Sequence, residues 1–302
     1  MKRSTSCELS RIWAECSKEF GFSKLQNRQK AEAVIHESIP SGFAELDKIT
    51  GEWQPGNLVI IAARPSMGKT AFALSMARNM ALDYGYGVAL FSLEMSAHQL
   101  LKRMIYSETE LDGNKIRTGK LETHEQELFE AKVGKLIEAP IFIDDTSAIS
   151  VIEFREQCSK LVYKHNIRVA FIDYVQLMNW TDNNKGNREQ EVSNIVRSLK
   201  AFAKELNITI IALSQLNRMV ENRGGIQGKR PYLADIRDAP NAIEQDADIV
   251  VFIHRAEYFG FTEDADGNSL EGVAEIIVAK NRYGALGDVQ LTFDKNCAKF
   301  TE

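Results

Sequence analysis

The segment at residues 63–70 has the sequence Ala-Arg-Pro-Ser-Met-Gly-Lys-Thr and directly follows the apolar run Leu-Val-Ile-Ile-Ala at 58–62. A strand, a tight loop and a helix in this order aim backbone N–H groups and a helix N-terminus at one point, where they can cradle phosphates. Lys69 would neutralise the β- and γ-phosphate oxygens, and the hydroxyl of Thr70 would face Mg²⁺. The generic pattern has Gly where Ala63 stands, and a chance Gly-Lys-Thr is the alternative. The predicted nucleotide-binding loop consists of Ala63, Arg64, Pro65, Ser66, Met67, Gly68, Lys69 and Thr70.

Three polar residues follow other apolar runs of the sequence. They are Glu94 after residues 88–91, Asp173 after residues 169–172, and Gln215 after residues 208–213. Open α/β sheets bind their ligands at the carboxyl ends of the parallel strands. We therefore expect these three side chains to lie beside Lys69 and Thr70 along one edge of the sheet.

The chemistry of these side chains suits nucleotide hydrolysis. Asp173, after a buried strand, would hold Mg²⁺ largely through water. Glu94 would orient and polarise the attacking water, and Gln215 would sense the γ-phosphate. A helix N-cap for Asp173 and a solvated turn acid for Glu94 are the structural alternatives. ATP and Mg²⁺ are the predicted ligands, with Thr70 and Asp173 as the metal-binding residues.

Short continuous apolar runs alternate with longer helical stretches from about residue 57 onward. Strands that are apolar on both faces and are separated by helices indicate a mostly parallel sheet covered on both sides. The last runs lie close together, which predicts an antiparallel C-terminal extension joined by hairpins. This is an α/β fold, and its predicted strands are 58–62, 88–91, 141–143, 169–172, 208–213, 249–253, 274–279 and 289–293.

Residues 1–39 differ in pattern and are predicted to form a short helical arm ahead of one large domain at 40–302. An apolar stripe at helical spacing ends before Gly21, and a polar helical segment then extends to about residue 37. The stripe would pack either on its own domain or on a neighbouring subunit. It consists of Leu9, Ile12, Trp13, Cys16 and Phe20.

Composition limits the kind of ligand and compartment. The chain has 302 residues, with 37 Lys and Arg against 42 Asp and Glu, for a formal net charge of −5. This balance argues against coating of nucleic acid by bulk positive charge, so any polyanion must be held by a local patch. No apolar run approaches the roughly 18 residues that cross a bilayer, and the first residues lack a signal-peptide pattern. We expect a cytoplasmic protein without membrane contact, whose four scattered cysteines are reduced thiols.

One local patch of positive charge stands out, and we call residues 218–237 the basic segment. Its net charge is +3, and three glycines predict that it is mobile. Such a segment could bind phosphates of a nucleic acid without sequence preference and with strong salt dependence, and a solvated charge-rich loop is the alternative. Its cations are Arg218, Arg223, Lys229, Arg230 and Arg237, its acids are Glu221 and Asp235, and its glycines are Gly224, Gly225 and Gly228.

A second cluster of acids resembles a calcium loop but is better explained as a turn. Asp264, Asp266, Asn268 and Glu275 occupy positions 1, 3, 5 and 12 of that template, yet Ser269 replaces the required Gly. A hairpin tip at 266–268 is the favoured interpretation. We therefore predict no metal other than nucleotide-bound Mg²⁺.

Taken together, these segments resemble replicative DNA helicases of the DnaB type, whose motor domain has the RecA fold. The match extends from Ile39 to the C-terminus. Its most specific parts are the loop at 63–70, Ser-Leu-Glu-Met-Ser at 92–96, Ala-Leu-Ser-Gln-Leu-Asn-Arg at 212–218, Ile-Glu-Gln-Asp-Ala-Asp at 243–248, and Ala-Lys-Asn-Arg at 279–282.

The resemblance implies a RecA-like P-loop NTPase core in a ring of six subunits, with ATP bound between neighbours and single-stranded DNA in the channel. Hydrolysis would drive 5′-to-3′ movement. Lys280 and Arg282 match the family's trans-acting pair, which would reach the γ-phosphate of the adjacent subunit. From spacing alone, an exposed basic turn would be the better explanation of this pair.

The resemblance also implies that DNA lies against the basic segment and the residue that follows it. Arg237 matches a residue that contacts the DNA backbone, and six such segments would concentrate positive charge in the channel. The sequence from Arg237 to Asn241 has one residue more than the family pattern, and Pro240 has no backbone N–H to offer a phosphate. The predicted DNA-binding residues are Arg223, Lys229, Arg230, Arg237 and Asp238.

Full-length family members carry a helical N-terminal domain that engages primase, and the arm of 39 residues resembles only the linker helix that docks on an adjacent motor domain. The chain is thus expected to be an excised motor or a short relative, with helicase loader and primase as possible partners. Two other functional classes stay open. One is a RecA-fold filament or assembly-switch protein without unwinding activity, and the other is a nucleotide-binding scaffold without turnover, which Lys69, Glu94 and Asp173 disfavour.

Overall fold

The structure, a computed structural model, describes residues 7–13, 38–180 and 187–302. A single sheet of ten strands runs through the molecule. The strands are β1 (Cys7–Glu8), β2 (Leu58–Ala63), β3 (Gly87–Ser92), β4 (Ile141–Asp144), β5 (Ile167–Asp173), β6 (Thr209–Gln215), β7 (Ile249–His254), β8 (Val273–Asn281), β9 (Gly287–Asp294) and β10 (Lys299–Thr301).

Helices connect the parallel strands and cover both faces of the sheet. The α-helices are α1 (Ala44–Thr50), α2 (Lys69–Arg78), α3 (Ala97–Thr109), α4 (Gly113–Thr118), α5 (Thr123–Glu138), α6 (Val151–His165), α7 (Arg188–Leu206), α8 (Gly225–Lys229) and α9 (Pro240–Asp246). A π-helical turn at Asn79–Asp83 extends α2, and residues 9–13 are also helical.

The strand order is β1-β4-β3-β5-β6-β2-β7-β8-β9-β10. The six strands from β4 to β7 are parallel, whereas β8, β9 and β10 continue the sheet as antiparallel hairpins. The predicted α/β architecture and its antiparallel extension are confirmed. The sequence analysis missed β1 and β10, which have two and three residues and therefore carry almost no periodic signal.

Alternation along the central strands explains why the sheet is buried on both faces. In β2, Val59 and Ile61 contribute to the core that α2, α3 and α5 cover, while Leu58 and Ile60 contribute to the core under α6, α7 and α9. Every residue of β2 is buried, as expected for a strand between two helical layers. In β9, by contrast, buried and exposed residues alternate, because only one face is covered.

The described part of the arm packs on its own domain. β1 adds to the edge of the sheet by pairing with β4, with Cys7 opposite Ile143. Leu9 and Ile12 are buried in the core that α2, α3 and α5 cover. The ring of Trp13 lies 6.4 Å from that of Phe129 in α5. These residues thus contact their own domain, which is one of the two placements that the apolar stripe left open, and docking on an adjacent motor domain stays a prediction. Cys16, Phe20 and residues 23–37 lie outside the described residues.

Three smaller predictions can be compared with the structure. The 266–268 segment is a turn, in which Gly267 has φ +83° and the N–H of Asp264 donates to the carbonyl of Asn268 at 2.9 Å. Cys158 and Cys297 are buried free thiols, and burial raises the pKa of Cys158 to about 12. None of the helices within the described ranges is long and apolar enough to span a membrane.

Candidate active site

The loop at residues 64–68 joins the end of β2 to the start of α2, so the predicted strand–loop–helix arrangement is confirmed. Gly68 adopts φ +96°, a left-handed conformation that favours glycine. A Cβ at this position would lie 2.9 Å from the ring of Phe300 in β10. The loop therefore has its shape because a glycine lets it pack directly against the last strand of the sheet.

Asp173, at the carboxyl end of β5, contacts both reactive residues at the start of α2. Thr70 Oγ1 donates a hydrogen bond to Asp173 Oδ2 at 2.6 Å, and Lys69 Nζ lies 3.8 Å from Asp173 Oδ1. The contact between Lys69 and Asp173 is an ion pair, but its 3.8 Å distance is too long for a hydrogen bond. Asp173 Oδ1 is therefore a buried acceptor without a hydrogen-bond partner in the described part of the chain. Asp173 belongs to a strand and is not a helix N-cap, which removes the structural alternative.

The ammonium of Lys69 is largely desolvated and faces carboxylates. Burial lowers the pKa of Lys69, and the charges of Asp173 and Glu94 oppose that shift. Its Nζ also lies 4.3 Å from the centre of the Tyr174 ring, a cation–π contact. A polyphosphate bound here would add negative charge beside this buried cation and would favour its protonated form further.

Glu94 sits on a short turn after β3 that its neighbours fix in place. The Ser92 hydroxyl donates to the carbonyl of Met95 at 2.8 Å and accepts from the Met95 N–H at 3.2 Å. The N–H of Leu93 donates to the carbonyl of Asp173 at 2.9 Å, which ties this turn to β5. Glu94 itself is exposed to the cleft. We call Lys69, Thr70, Glu94 and Asp173 the phosphate edge.

A cleft of about 480 Å³ opens beside the phosphate edge. Arg103 of α3 also faces this cleft, together with Phe293 and Ala298 from the C-terminal hairpins, and the sequence analysis missed all three. Arg103 is one of many cations on amphipathic helices and carries no local signal. The cleft is lined by Ala63, Arg64, Pro65, Ser66, Gly68, Lys69, Thr70, Ala71, Glu94, Arg103, Gln215, Phe293 and Ala298.

Gln215, at the end of β6, joins the cleft to the end of the basic segment. Its backbone carbonyl accepts from the N–H of Arg237 at 2.9 Å, and its Oε1 accepts from the Arg237 guanidinium at 3.4 Å. Gln176 also contacts both residues, since its Oε1 accepts from the Gln215 N–H at 3.4 Å and its Nε2 donates to the Arg237 carbonyl at 3.1 Å. The predicted sensor and the predicted DNA contact are thus in direct contact.

Arg64 has a different place from the rest of its loop. Its backbone belongs to the loop, but its side chain is buried, donates to the carbonyl of Leu216 at 2.7 Å and pairs with Glu221 at 2.5 Å. The guanidinium therefore anchors the loop to the segment after β6. Arg64 lines the cleft as part of the loop, but the charge of its guanidinium is already neutralised by Glu221.

The basic segment contains short regular elements, and the mobility that its glycines predict stays a prediction. It contains a 3₁₀ turn at Arg218–Asn222, then α8, then a second 3₁₀ turn at Leu233–Asp235. Gly225 begins α8 with φ +69°, so this glycine supplies a fixed turn.

Most cations of the basic segment already have partners within the chain. Arg223 pairs with Asp235, and the ammonium of Lys229 donates to the carbonyl of Glu221. Arg230 pairs with Asp288 at 2.5 Å and with Glu275 at 3.3 Å, two acids that a count within the segment omits. The net charge of +3 therefore overstated the positive charge available. Arg218 and Arg237 are the exposed members.

The end of the basic segment has a defined geometry. The Arg237 side chain is 57% exposed and lies 3.4 Å from the Asp238 carboxylate. Asp238 has φ +70°, and Pro240 then begins α9 at the first helical position. A proline is well tolerated there, because the N–H that it lacks has no partner within a helix.

Lys280 and Arg282 lie away from the cleft of their own chain and differ in their contacts. Lys280 Nζ donates to the carbonyls of Glu244 and Ala247 at 2.5 Å each, which caps the end of α9. The Arg282 side chain is 51% exposed and makes one contact of 3.4 Å with Asp248. The spacing-based expectation of an exposed basic turn thus fits Arg282 but not Lys280.

Comparison with known proteins gives consistent matches. The family model of the DnaB-like helicase C-terminal domain matches residues 38–302. Replicative DNA helicase DnaB of Geobacillus stearothermophilus is 47% identical over 262 residues, which are 87% of this chain and 56% of that protein. Replicative DNA helicase DnaC of Bacillus subtilis is 45% identical over 262 residues, with the same two coverages. The chain thus spans little more than half the length of these relatives.

Solved structures agree with these matches. The ATPase domain of G40P superposes with a TM-score of 0.79 at 37% identity, covering 87% of this chain and 90% of that domain. A DnaB-like replicative helicase, whose structure was described with its interactions with primase, has a TM-score of 0.78 at 37% identity. It is covered to 61%, and 87% of this chain is matched. The predicted RecA-like core with helices on both faces is therefore confirmed.

Proposed function

Because this chain belongs to the family of DnaB-like helicase C-terminal domains, we propose that it is the ATP-hydrolysing motor of a replicative DNA helicase. Hydrolysis drives 5′-to-3′ movement on single-stranded DNA and unwinding of the duplex ahead. The observation that carries this proposal is the contact of Thr70 and Lys69 with Asp173 beside the exposed Glu94. The relatives are replicative helicases, so a RecA-fold filament or assembly switch is not favoured.

The residues that line the cleft have distinct roles in binding and hydrolysing the nucleotide. The loop at 64–68 and the start of α2 present backbone N–H groups to the phosphates, and Lys69 neutralises charge on the β- and γ-phosphate oxygens. Glu94, exposed to the cleft, orients the attacking water and accepts its proton. Gln215 contacts the γ-phosphate and, through Arg237, conveys its loss to the DNA-binding residues.

The residues present fit a Mg²⁺ ion bound with the nucleotide. Asp173 Oδ1 is a buried carboxylate oxygen without a hydrogen-bond partner in the described residues, and the Thr70 hydroxyl lies beside the same carboxylate. Oxygen ligands of this kind are those that Mg²⁺ prefers. When bound, the ion would neutralise charge that develops on the phosphates.

Hydrolysis needs residues from two subunits. Arg282 is half exposed and lies outside the cleft of its own chain, so it is available to a phosphate on a neighbouring copy. An arginine supplied across an interface stabilises the transition state and makes turnover depend on the position of the neighbour. Lys280 completes this pair once it leaves the carbonyls at the end of α9. The working assembly is a homo-hexamer with ATP at each interface.

Single-stranded DNA binds near Arg237, which is exposed and joined to Gln215. Asp238 and the cations Arg223, Lys229 and Arg230 shape the same surface, although the ion pairs of Arg223 and Arg230 reduce their share of the charge. Binding is independent of sequence and sensitive to salt, because phosphate contacts dominate.

The arm and the remaining partners follow from the same family. We assign residues 1–39 to a linker arm and 40–302 to the motor domain. Helicase loader and primase are its candidate partners.

The test is ATP hydrolysis with and without single-stranded DNA, together with unwinding of a forked duplex, for the wild type, Lys69→Ala and Glu94→Gln. We expect DNA-stimulated turnover in the wild type and loss of turnover in both variants. Equal turnover in all three proteins would contradict the assignment of the site. ATP turnover without unwinding would support the ATPase assignment but would favour a RecA-fold filament or assembly switch over a helicase.

A further inference from the structure

Asp248 directly precedes β7 and is completely buried, which is rare for a carboxylate. Its Oδ2 accepts a hydrogen bond from the N–H of Leu58 at 2.8 Å and another from Lys200 Nζ. Burial by itself raises the pKa of this carboxyl, but Lys200, the Leu58 N–H and Arg282 together hold that pKa below its usual value. Asp248 is therefore a charged anchor at neutral pH.

The other oxygen of Asp248 faces the end of β8. Oδ1 lies 3.4 Å from Arg282 Nη1 and 3.4 Å from the hydroxyl of Tyr283. The backbone N–H of Arg282 also donates to the Asp248 carbonyl at 2.9 Å. Both the backbone and the side chain of Arg282 are thus attached to one buried residue.

These contacts hold only one edge of the Arg282 guanidinium. A guanidinium has five N–H donors in a planar fork, and only Nη1 has a hydrogen-bond partner within the residues that the structure describes. With its side chain 51% exposed, Arg282 presents its remaining donors outward. The arrangement fixes the direction of the fork and leaves the rest of it open to a ligand.

We propose that Asp248 is the positioning residue of Arg282, holding its guanidinium ready for the phosphates bound by a neighbouring subunit. This inference rests on the proposed function, in which Arg282 acts across the interface. A free arginine at a surface samples many rotamers, and an anchor that selects one of them removes this cost before ATP arrives.

Lys200 keeps Asp248 paired independently of Arg282. Its ammonium neutralises Asp248 and also donates to the carbonyl of Gly56 at 2.7 Å. A phosphate that shares the Arg282 guanidinium with Asp248 therefore does not leave a buried charge unpaired, which would be strongly destabilising. Asp248 also accepts a hydrogen bond from Leu58, the first residue of the strand that ends at the phosphate loop. Through Asp248, the position of Arg282 is therefore linked to a central strand of the sheet.

The first test compares two matched substitutions of an acid by its amide. Asp248→Asn keeps the side-chain shape and removes the charge that orients Arg282. We expect kcat for DNA-stimulated ATP hydrolysis to fall about 10- to 100-fold, with KM for ATP changed less than about threefold. Asp266→Asn is the control, because Asp266 lies on the exposed turn at 266–268, which has no role in the proposed site. Its kcat should stay within about twofold of the wild type.

The second test distinguishes positioning across the interface from a general structural defect. Lys69→Ala subunits lack the phosphate lysine but carry an intact Arg282, whereas Asp248→Asn subunits have the reverse defect. Mixed oligomers of the two should regain ATP hydrolysis well above either variant alone, as should the reference mixture of Arg282→Ala with Lys69→Ala. Rescue of the reference mixture alone would overturn the role of Asp248. Rescue of neither mixture would overturn the trans role of Arg282, and with it this inference.

A variant that fails to fold would not end the test. Asp248→Glu keeps the negative charge that Lys200 needs and displaces the carboxylate by one methylene. If Asp248→Asn shows no cooperative thermal transition, Asp248→Glu takes its place in the mixture with Lys69→Ala. The same rescue is expected, and its absence beside a rescued reference mixture would overturn the inference.

Discussion

The phosphate edge and the basic segment both concentrate charge, yet their charges are satisfied to very different degrees. At the phosphate edge, Asp173 keeps a buried oxygen without a hydrogen-bond partner among the described residues, and Lys69 is 3.8 Å from that oxygen. In the basic segment, Arg230 pairs with Asp288 and Glu275, and Arg223 pairs with Asp235. At the phosphate edge one buried carboxylate oxygen of the described residues lacks a hydrogen-bond partner, whereas in the basic segment acids of the chain already pair with most of the cations.

This difference indicates where binding energy comes from. On the proposed function, the phosphates of a nucleotide would interact with Lys69, and its Mg²⁺ would interact with the unpaired oxygen of Asp173, so this site would gain charge–charge interactions when the ligand binds. DNA that used Arg223 or Arg230 would first have to break ion pairs within the chain. We therefore expect the strongest electrostatic effects at the phosphate edge, and we expect DNA affinity to depend mainly on exposed cations such as Arg237.

The largest effect is expected from Glu94→Gln, which keeps the side-chain size and removes the carboxylate that we propose as the proton acceptor. The kcat for ATP hydrolysis should fall about 10²- to 10⁴-fold with little change in nucleotide affinity. Steady-state kinetics and nucleotide titration would measure the two quantities. A parallel loss of affinity and rate would mean that Glu94 serves binding and not proton transfer.

The next effect concerns His254, which is buried beside the basic segment. Burial, followed by the charge of Arg230, lowers the pKa of His254 from 6.5 to about 4. Between about pH 6.5 and pH 4 the folded state therefore binds fewer protons at His254 than the unfolded state does. The free energy of unfolding is highest above about pH 6.5, and this site lowers it by on the order of 3 kcal/mol as the pH falls toward 4. Denaturant unfolding of the wild type and His254→Gln over this range should show a shallower pH dependence in the variant. Equal slopes would contradict a neutral, buried His254.

A smaller effect is expected from Arg237→Gln, measured as affinity for a mixed-sequence single-stranded oligonucleotide. Loss of one exposed phosphate contact should weaken binding about three- to tenfold and reduce the slope of log affinity against log salt by about 0.7. Anisotropy titrations at several salt concentrations would measure both. An unchanged slope would remove Arg237 from the DNA surface.

Arg230→Gln should have the smallest effect on DNA and provides the matched comparison. Because its charge is already neutralised by Asp288 and Glu275, binding should weaken less than about twofold. The free energy of unfolding should fall by about 1 kcal/mol, because Glu275 would lose its ion-pair partner. A larger DNA effect than that of Arg237→Gln would reverse the contrast between paired and exposed cations.

The sequence predicted the strands and the phosphate edge because both depend on local patterns. The run at 58–62 and the loop after it are contiguous. Asp173 and Gln215 end their strands and Glu94 follows the end of β3, so a general rule of parallel sheets brings them to one edge. Their contacts had to come from the fold, since Thr70 and Asp173 lie 103 positions apart.

Other features left no local trace. The partners of Arg230 lie far along the chain, on β8 and β9, so a charge count within the basic segment could not include them. Arg103 faces the cleft because α3 packs beside the sheet, and nothing in its neighbouring residues marks it. β1 and β10 form because an exposed sheet edge accepts a short extended segment, which depends on the sheet already being there.

The packing of the phosphate loop against β10 makes ligand binding a probe of how the whole domain folds. Gly68 packs so closely on the Phe300 ring that a Cβ there would lie 2.9 Å from it, and the N–H of Phe300 donates to Ser75 Oγ across 225 positions of sequence. Contacts of such long sequence separation require the closure of a large loop, which costs conformational entropy. A nucleotide that binds only the completed site at about 100 times its Kd would raise the free energy of unfolding by about 2.7 kcal/mol. On the proposed function, the ATP concentration in the cell would therefore influence the stability of this domain as well as its turnover.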